Sequence, residues 1–203
     1  MIELFVEELT GAAMQVLLFS LIPVVWWLMT AGKKSNFFSW IGLKRIVHDG
    51  NFVLTILFTV LAALVFISSM YICMHSISGE ITTAGSQFSG AGIAGVPAVF
   101  VYAYIRTGLS EEIVFRGFIL KRIKSKFGFS TGNFVQAMVF GLLHGIPFGL
   151  TTNKMLITVV LTILPGAFGY YMGWLNEKRC GESILSGWLI HGTLNFIVAA
   201  MAL

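Results

Sequence analysis

From Val101 to Lys126 the chain reads VYAYIRTGLSEEIVFRGFILKRIKSK. The first twenty of these residues are apolar enough for the interior of a membrane, yet they hold Arg106, Glu111, Glu112 and Arg116. An ionisable residue at the centre of a membrane helix costs roughly 3 kcal/mol on insertion scales. Four of them facing lipid near the midplane would cost on the order of 12 kcal/mol. Such a segment cannot stand alone. It must turn these groups inward against other helices, pair them and, as a rule, use them. The stretch is therefore read as a helix carrying a catalytic carboxylate inside a membrane.

Composition agrees with that constraint. The chain is 57% hydrophobic and 11% charged, with a mean hydropathy of +0.87. Soluble domains carry about 25% charged residues, so a soluble globular protein is excluded. At ~20 residues per span, the length of 203 residues suits one all-α, polytopic integral membrane helix bundle of about six spans. The net charge of +4 comes from basic residues in short clusters beside apolar runs. That arrangement points to anionic lipid headgroups and the positive-inside rule. It does not point to nucleic acid. Cys73 and Cys180 form no metal or disulfide framework; Cys73 reads as a buried apolar residue and Cys180 as a loop residue. The leading MIELFVEEL is acidic, whereas a secretory signal needs a basic leader. The first apolar run is thus expected to stay as a span.

In chain order, Leu9 to Ala31 is the first expected span, with Pro23 inside it and Trp26 and Trp27 as interfacial anchors. Residues 33–50 interleave Lys33, Lys34, Lys44 and Arg45 with Phe37, Phe38, Trp40, Ile41 and Leu43, which suits an amphipathic segment lying in the headgroup plane. Asn51 to Met74 is an uncharged second span, and His75 to Gly95 a Gly/Ser/Thr-rich loop with Glu80. The third span, Val96 to Ile119, admits Pro97 in its first turn and ends at Lys121, Arg122, Lys124 and Lys126. Asn133 to Ile146 is a shorter segment after Ser130 and Thr131, stopped by Pro147 and Gly149. Met155 to Leu175 is the fifth span, with a kink expected at Pro165 and Gly166. Asn176 to Gly181 is a polar loop, and Ser183 to Leu203 the sixth span. No internal repeat is visible. Placing residues 32–50, 121–128 and 176–181 in the cytoplasm collects ten of the thirteen Lys and Arg residues, with Lys154 alone on the other side. The expected topology is an even number of spans in the cell membrane with both termini extracytoplasmic.

Three polar sites fall inside these spans. Glu112 and Arg116 are i,i+4 neighbours in the favoured order, and Glu111 lies ~100° round the helix. One reading makes the two glutamates a structural ion network with Arg106 and Arg116. The other separates them: Glu112 holds the helix through Arg116, and Glu111 serves as a base for water. Phe140-x-x-x-His144 taken alone reads as a buried histidine with one satisfied nitrogen. His191-x-x-x-Asn195 places two donors on one helix face, either as an interhelical clamp or as an oxyanion site. Together the three sites hold nearly every ionisable group within a span. Polar groups in lipid seek one another, so the third, fourth and sixth spans are expected to converge on them. Gly117, Gly141, Gly145 and Gly192 flank the sites and permit close approach.

The order EEIVFRG, FGLLH and HGTLN, with FFSWIGLKR upstream, resembles the CAAX-protease and bacteriocin-processing family of intramembrane proteases (CPBP or Abi, type II CAAX endopeptidases). The likeness runs from about Ser39 to the C-terminus, within a single protease-like domain over residues 1–203 whose catalytic core is 96–203. This chain is more compact than the longer eukaryotic members, which favours a prokaryotic relative. The resemblance implies Glu111 as the principal catalytic carboxylate, His144 as its assistant in activating water, and His191 and Asn195 as oxyanion stabilisers. Glu112, Arg116 and Phe140 support them. The family's site has been read both as metal-dependent and as glutamate-based. A His₂Glu set of Glu111, His144 and His191 is chemically able to bind zinc. The chain has no HExxH, and no carboxylate beyond the glutamate pair is placed to orient such ligands, so a metal-free site is favoured. The expected substrate is a membrane-associated peptide or protein. The rival readings are a non-catalytic immunity or scaffold protein that binds a peptide partner, and a small transporter or proton relay, against which the lack of inverted repeats counts.

Overall fold

The computed structural model describes residues 1–75, 84–152 and 154–203, with the backbone alone at 73–75, 84 and 151–152. The Glu80 region of the predicted loop and the side chain of Cys73 lie outside the described residues. Everything regular among the described residues is helical, with no strand. A chain in lipid must satisfy its backbone polar groups internally, and long helices do so within each segment.

The fold divides into two compact units. One comprises Met1–Lys44, Thr82–Gly117 and Ile184–Leu203, and the other Arg45–Ile81 and Phe118–Ser183. In the first unit, α1 (Ile2–Thr30) starts at Ile2 rather than Leu9, so it takes in Glu3, Glu7 and Glu8. An acidic first turn suits the positive end of a helix dipole, and Glu8 is buried further along. The basic, aromatic segment is helical only over α2 (Phe37–Ile41), not across 33–50. Asn36 Oδ1 caps it by accepting from the Phe38 and Ser39 amides at 2.9 and 3.4 Å. Gly42, at φ 90°, ends it. Ile41 packs with Ile113 and Ile184 in a small apolar core.

The third predicted span starts as expected, with α4 (Val96–Phe100) and Pro97 in its first turn. It then widens into a π-helical segment, Val101–Leu109. A short α-helical interval follows, α5 (Ser110–Glu112), then a second π-helical segment, Ile113–Leu120. Wide turns of this kind are rare and mark functional sites. α9 (Leu185–Ala200) packs against the first π-helical segment. The approach is close because a Cβ on Gly108 would stand 3.4 Å from Gly192 Cα. Trp188 Nε1 donates to the Tyr104 carbonyl at 2.6 Å, and Tyr104 Oη and Thr193 Oγ1 share a hydrogen bond of 2.8 Å.

The second unit holds α3 (Phe52–His75), α6 (Lys121–Phe127), α7 (Phe129–Thr152) and α8 (Met155–Lys178). Gly128, at φ 84°, separates α6 from α7. Pro147 does not stop α7 as predicted but lies within it. Membrane helices tolerate proline because neighbouring groups re-satisfy the freed carbonyl. α8 likewise contains Pro165, and it runs to Lys178, absorbing half of the predicted 176–181 loop. Among the described residues, four helical stretches are long and apolar enough to cross a membrane: Ile2–Thr30, Phe52–Ile72, Gly92–Leu150 (divided at Gly128) and Met155–Lys178. Leu185–Ala200 is apolar but shorter. This is an all-α, multi-pass membrane fold.

Candidate active site

The site is built on α5, where three successive residues leave the two π-helical segments in ordinary α geometry. Ser110 starts it, its hydroxyl donating to the Arg106 carbonyl and accepting from Gln15 Nε2 of α1 at 3.1 Å. Glu111 and Glu112 follow on different faces. Glu112 is fully buried and makes a 3.1 Å ion pair with the equally buried Arg116, the i,i+4 pair read from the sequence.

His191 of α9 stands between the two carboxylates. Its Nδ1 lies 3.4 Å from Glu112 Oε1, and its Nε2 lies 3.6 Å from Glu111 Oε2. A carboxylate paired to arginine accepts only, so the Nδ1 proton belongs to the Glu112 side. The second nitrogen faces Glu111. The two glutamates differ in access: the Glu111 side chain is 17% exposed and that of Glu112 is not exposed at all. Glu111 is thus the less enclosed of the two, while its Oε2, the oxygen that faces His191, is itself buried.

Asn195 lies one turn beyond His191. Its Nδ2 donates to Thr107 Oγ1 at 2.9 Å. The Thr107 hydroxyl itself donates to the Tyr102 and Ala103 carbonyls, at 3.0 and 3.1 Å. Its oxygen must therefore accept from the amide, which fixes which end of Asn195 is nitrogen. One Nδ2 hydrogen remains for another acceptor.

Arg106, which one sequence reading set in an ion network with Glu111 and Glu112, pairs with a different carboxylate. Its Nη1 donates to both carboxylate oxygens of Glu8 at 3.0 and 3.1 Å. Glu8, Gln15, Thr107 and Ser110 thus make polar contacts around the candidate site that spacing did not reveal. The ambivalent π-helical turns displace residues from the 3.6 period, and α1 lies far away in sequence. The one available signal was that an arginine within a span needs a carboxylate somewhere in the chain.

Phe140 and His144 belong to the second unit, on α7. His144 Nδ1 donates to the Phe140 carbonyl at 2.8 Å, and the two rings lie 4.4 Å apart. The carbonyl can only accept, so the neutral ring keeps its lone pair at Nε2. The Phe140-x-x-x-His144 spacing thus works through the backbone oxygen as well as the ring. Its tautomer suits a base that acts from Nε2.

Among the described residues, no group of three or more His, Cys, Asp or Glu side chains is arranged to hold a metal ion. No curated protein and no solved structure matches the chain. A family model, described as "Type II CAAX prenyl endopeptidase Rce1-like", matches residues 93–197, a stretch that contains α4, α5, both π-helical segments, α7, α8 and most of α9. With just over half of its residues inside that match, this chain belongs to the Rce1-like type II CAAX prenyl endopeptidases, a family of intramembrane proteases.

Proposed function

We propose that the chain is an intramembrane endopeptidase that hydrolyses a peptide bond of a membrane-associated peptide or protein with a water activated by Glu111 and His144. The observation that carries this reading is the unequal pair of carboxylates around one imidazole. Glu112 is closed off by Arg116 and His191 Nδ1, while Glu111, opposite His191 Nε2, makes no ion pair with Lys or Arg among the described residues and is the more exposed of the two.

In the proposed reaction Glu111 takes a proton from water, and His144 assists from Nε2. The hydroxide attacks the scissile carbonyl carbon. Negative charge develops on the carbonyl oxygen, where His191 and Asn195 donate, the latter with the Nδ2 hydrogen not given to Thr107. The proton held by Glu111 then passes to the leaving amine, the carbon–nitrogen bond breaks, and a carboxylate and an amine remain. In this scheme His191 enters the step with both ring protons, giving Nδ1–H to Glu112 and Nε2–H to the oxyanion, and it keeps both throughout. The positive-inside bias supports a cell-membrane location with both termini outside, and no step in this scheme needs a metal ion. Zinc on Glu111, His144 and His191 is the rival arrangement, and a chelator separates the two.

The test is hydrolysis of a matched pair of peptides, one carrying a C-terminal prenylated cysteine and one without lipid, by wild-type protein and by Glu111→Gln. The wild type should cleave, with or without chelator, and the variant should fold and lose at least about a hundredfold in kcat. An E111Q protein that cleaves at the wild-type rate overturns the assignment. Loss of wild-type activity with chelator, restored by zinc, overturns the metal-free site.

A further inference from the structure

The second unit contains a cavity that the hydrolytic chemistry does not use. It is about 630 Å³ and lies between α3 and α8, within the ~300–1,000 Å³ usual for sites that enclose a small molecule. α3 has no buried residue between Phe52 and Ile72, so it forms an outer wall. Tyr171 Oη donates to Thr59 Oγ1 at 2.6 Å and ties the wall to α8.

The lining changes character along its length. Phe58, Leu61 and Val65 make its apolar run, and Asn51, Trp174 and Arg179 stand at the other end. Arg179 is held in place: its guanidinium lies over the Trp174 ring at 5.3 Å. Its Nη1 also fills the space of the missing Cβ of Gly50, which would stand 2.6 Å away. Gly50, at φ 90°, is the residue type that permits this. No carboxylate pairs with Arg179 among the described residues.

We propose that this cavity binds one anionic phospholipid, with its phosphate on Arg179 and an acyl chain along Phe58, Leu61 and Val65. Three observations choose this occupant. First, the reach fits: from Asn51 to Val65 a helix rises ~21 Å, close to half of a bilayer including its headgroups, ~20–22 Å. Second, the polar side chains of the wall are already spent. Thr55 Oγ1 donates to the Asn51 carbonyl at 3.0 Å and lies 3.1 Å from His48 Nε2, and Thr59 Oγ1 donates to the Thr55 carbonyl at 2.8 Å. A peptide would leave its own backbone groups unpaired there, which lipid surroundings penalise; an acyl chain has none. Third, a preorganised guanidinium matches a phosphate in charge and geometry, and a headgroup with its own cation offsets that match.

The probe is a brominated acyl chain, which quenches tryptophan at short range. Full-length protein is reconstituted in phosphatidylcholine with a fixed fraction of brominated phosphatidylglycerol, and separately with the same fraction of brominated phosphatidylcholine. The Trp174 signal is the difference between wild type and Trp174→Phe. The anionic lipid should be favoured about fivefold at Trp174, the weight of one arginine near a membrane surface. Arg179→Gln should bring that ratio to about one, and Arg179→Lys should retain part of it, which separates loss of charge from misfolding. Ala62→Trp, on the cavity wall, should abolish quenching by both lipids. A wild-type ratio near one, or an unchanged ratio in Arg179→Gln, overturns the proposal. Competition by millimolar inorganic phosphate equal to that by the lipid would show an anion site without a chain site and would also overturn it.

Discussion

Two ionic clusters, one in each unit and each centred on buried glutamate, are built from the same residue types to opposite ends. In the second unit Glu177 is clasped by Lys121 at 2.6 Å and Lys124 at 2.5 Å, and Lys124 also reaches Glu182 at 2.6 Å. Lys121 gives a further bond to the Glu182 carbonyl at 2.9 Å. Two cations meet two carboxylates, and nothing is left over. In the first unit Glu8 has Arg106 and Glu112 has Arg116, but Glu111 has neither Lys nor Arg among the described residues, only the His191 ring at 3.6 Å. A charge-matched cluster closes a fold. A cluster that leaves one carboxylate to an imidazole, with no Lys or Arg paired to it among the described residues, is equipped for the proton transfer proposed above.

That contrast can be broken at either end. The largest effect is expected at Glu111, where glutamine should cut kcat by about 10²–10⁴-fold while thermal unfolding stays within a degree or two of wild type. A large drop in melting temperature instead would make Glu111 another structural partner and erase the difference between the clusters. Asn195→Ala should lower kcat by about 10²–10³-fold, the usual cost of removing an oxyanion donor. An effect confined to KM would move Asn195 to ground-state binding.

The matched cluster should answer in stability. Lys121→Met leaves the buried Glu177 with Lys124 alone, for a loss of about 1.5–3 kcal/mol, that of a hydrogen bond to a charged group, read by denaturant unfolding in detergent. The protein that remains folded should cleave at the wild-type rate per molecule. Catalysis lost in proportion to this substitution would mean that the two clusters are not independent. Thr107→Val, which keeps shape but cannot accept from Asn195, should reduce kcat by roughly tenfold with KM unchanged, as expected when one neutral hydrogen bond of about 1.4 kcal/mol is lost. Thr107→Ser should restore most of it. The smallest effect is expected at Glu182, half-exposed at 50% of its side-chain surface. Glu182→Gln should cost at most about 1 kcal/mol and leave activity alone.

Much of this contrast was legible in the residues, and some of it was not. Glu112 and Arg116 pair as an i,i+4 spacing dictates, because that relation is local to one helix. His144 was expected with one satisfied nitrogen, and the Phe140 carbonyl satisfies it for the same local reason. The Arg106 partner was not legible, since Glu8 lies 98 residues away on α1. Nor was Thr107 as the residue that orients Asn195, because a π-helical turn shifts the facing positions away from the 3.6 period. The lysines after Leu120 read as a topology signal, yet Lys121 and Lys124 also serve as partners of Glu177 and Glu182.

The sequence by itself determined that the chain is a helical membrane protein, which carboxylates it must keep inside, and which family it joins. These follow from hydropathy, helical spacing and short motifs, all properties of neighbouring residues. Only the tertiary structure decided which glutamate is fully enclosed and which is partly exposed. It also settled that one imidazole stands between both carboxylates, and that Pro147 continues a helix instead of ending it. Those outcomes depend on which distant segment fills the space beside each group, and burial and hydrogen-bond supply at a point in a fold are set by that neighbour.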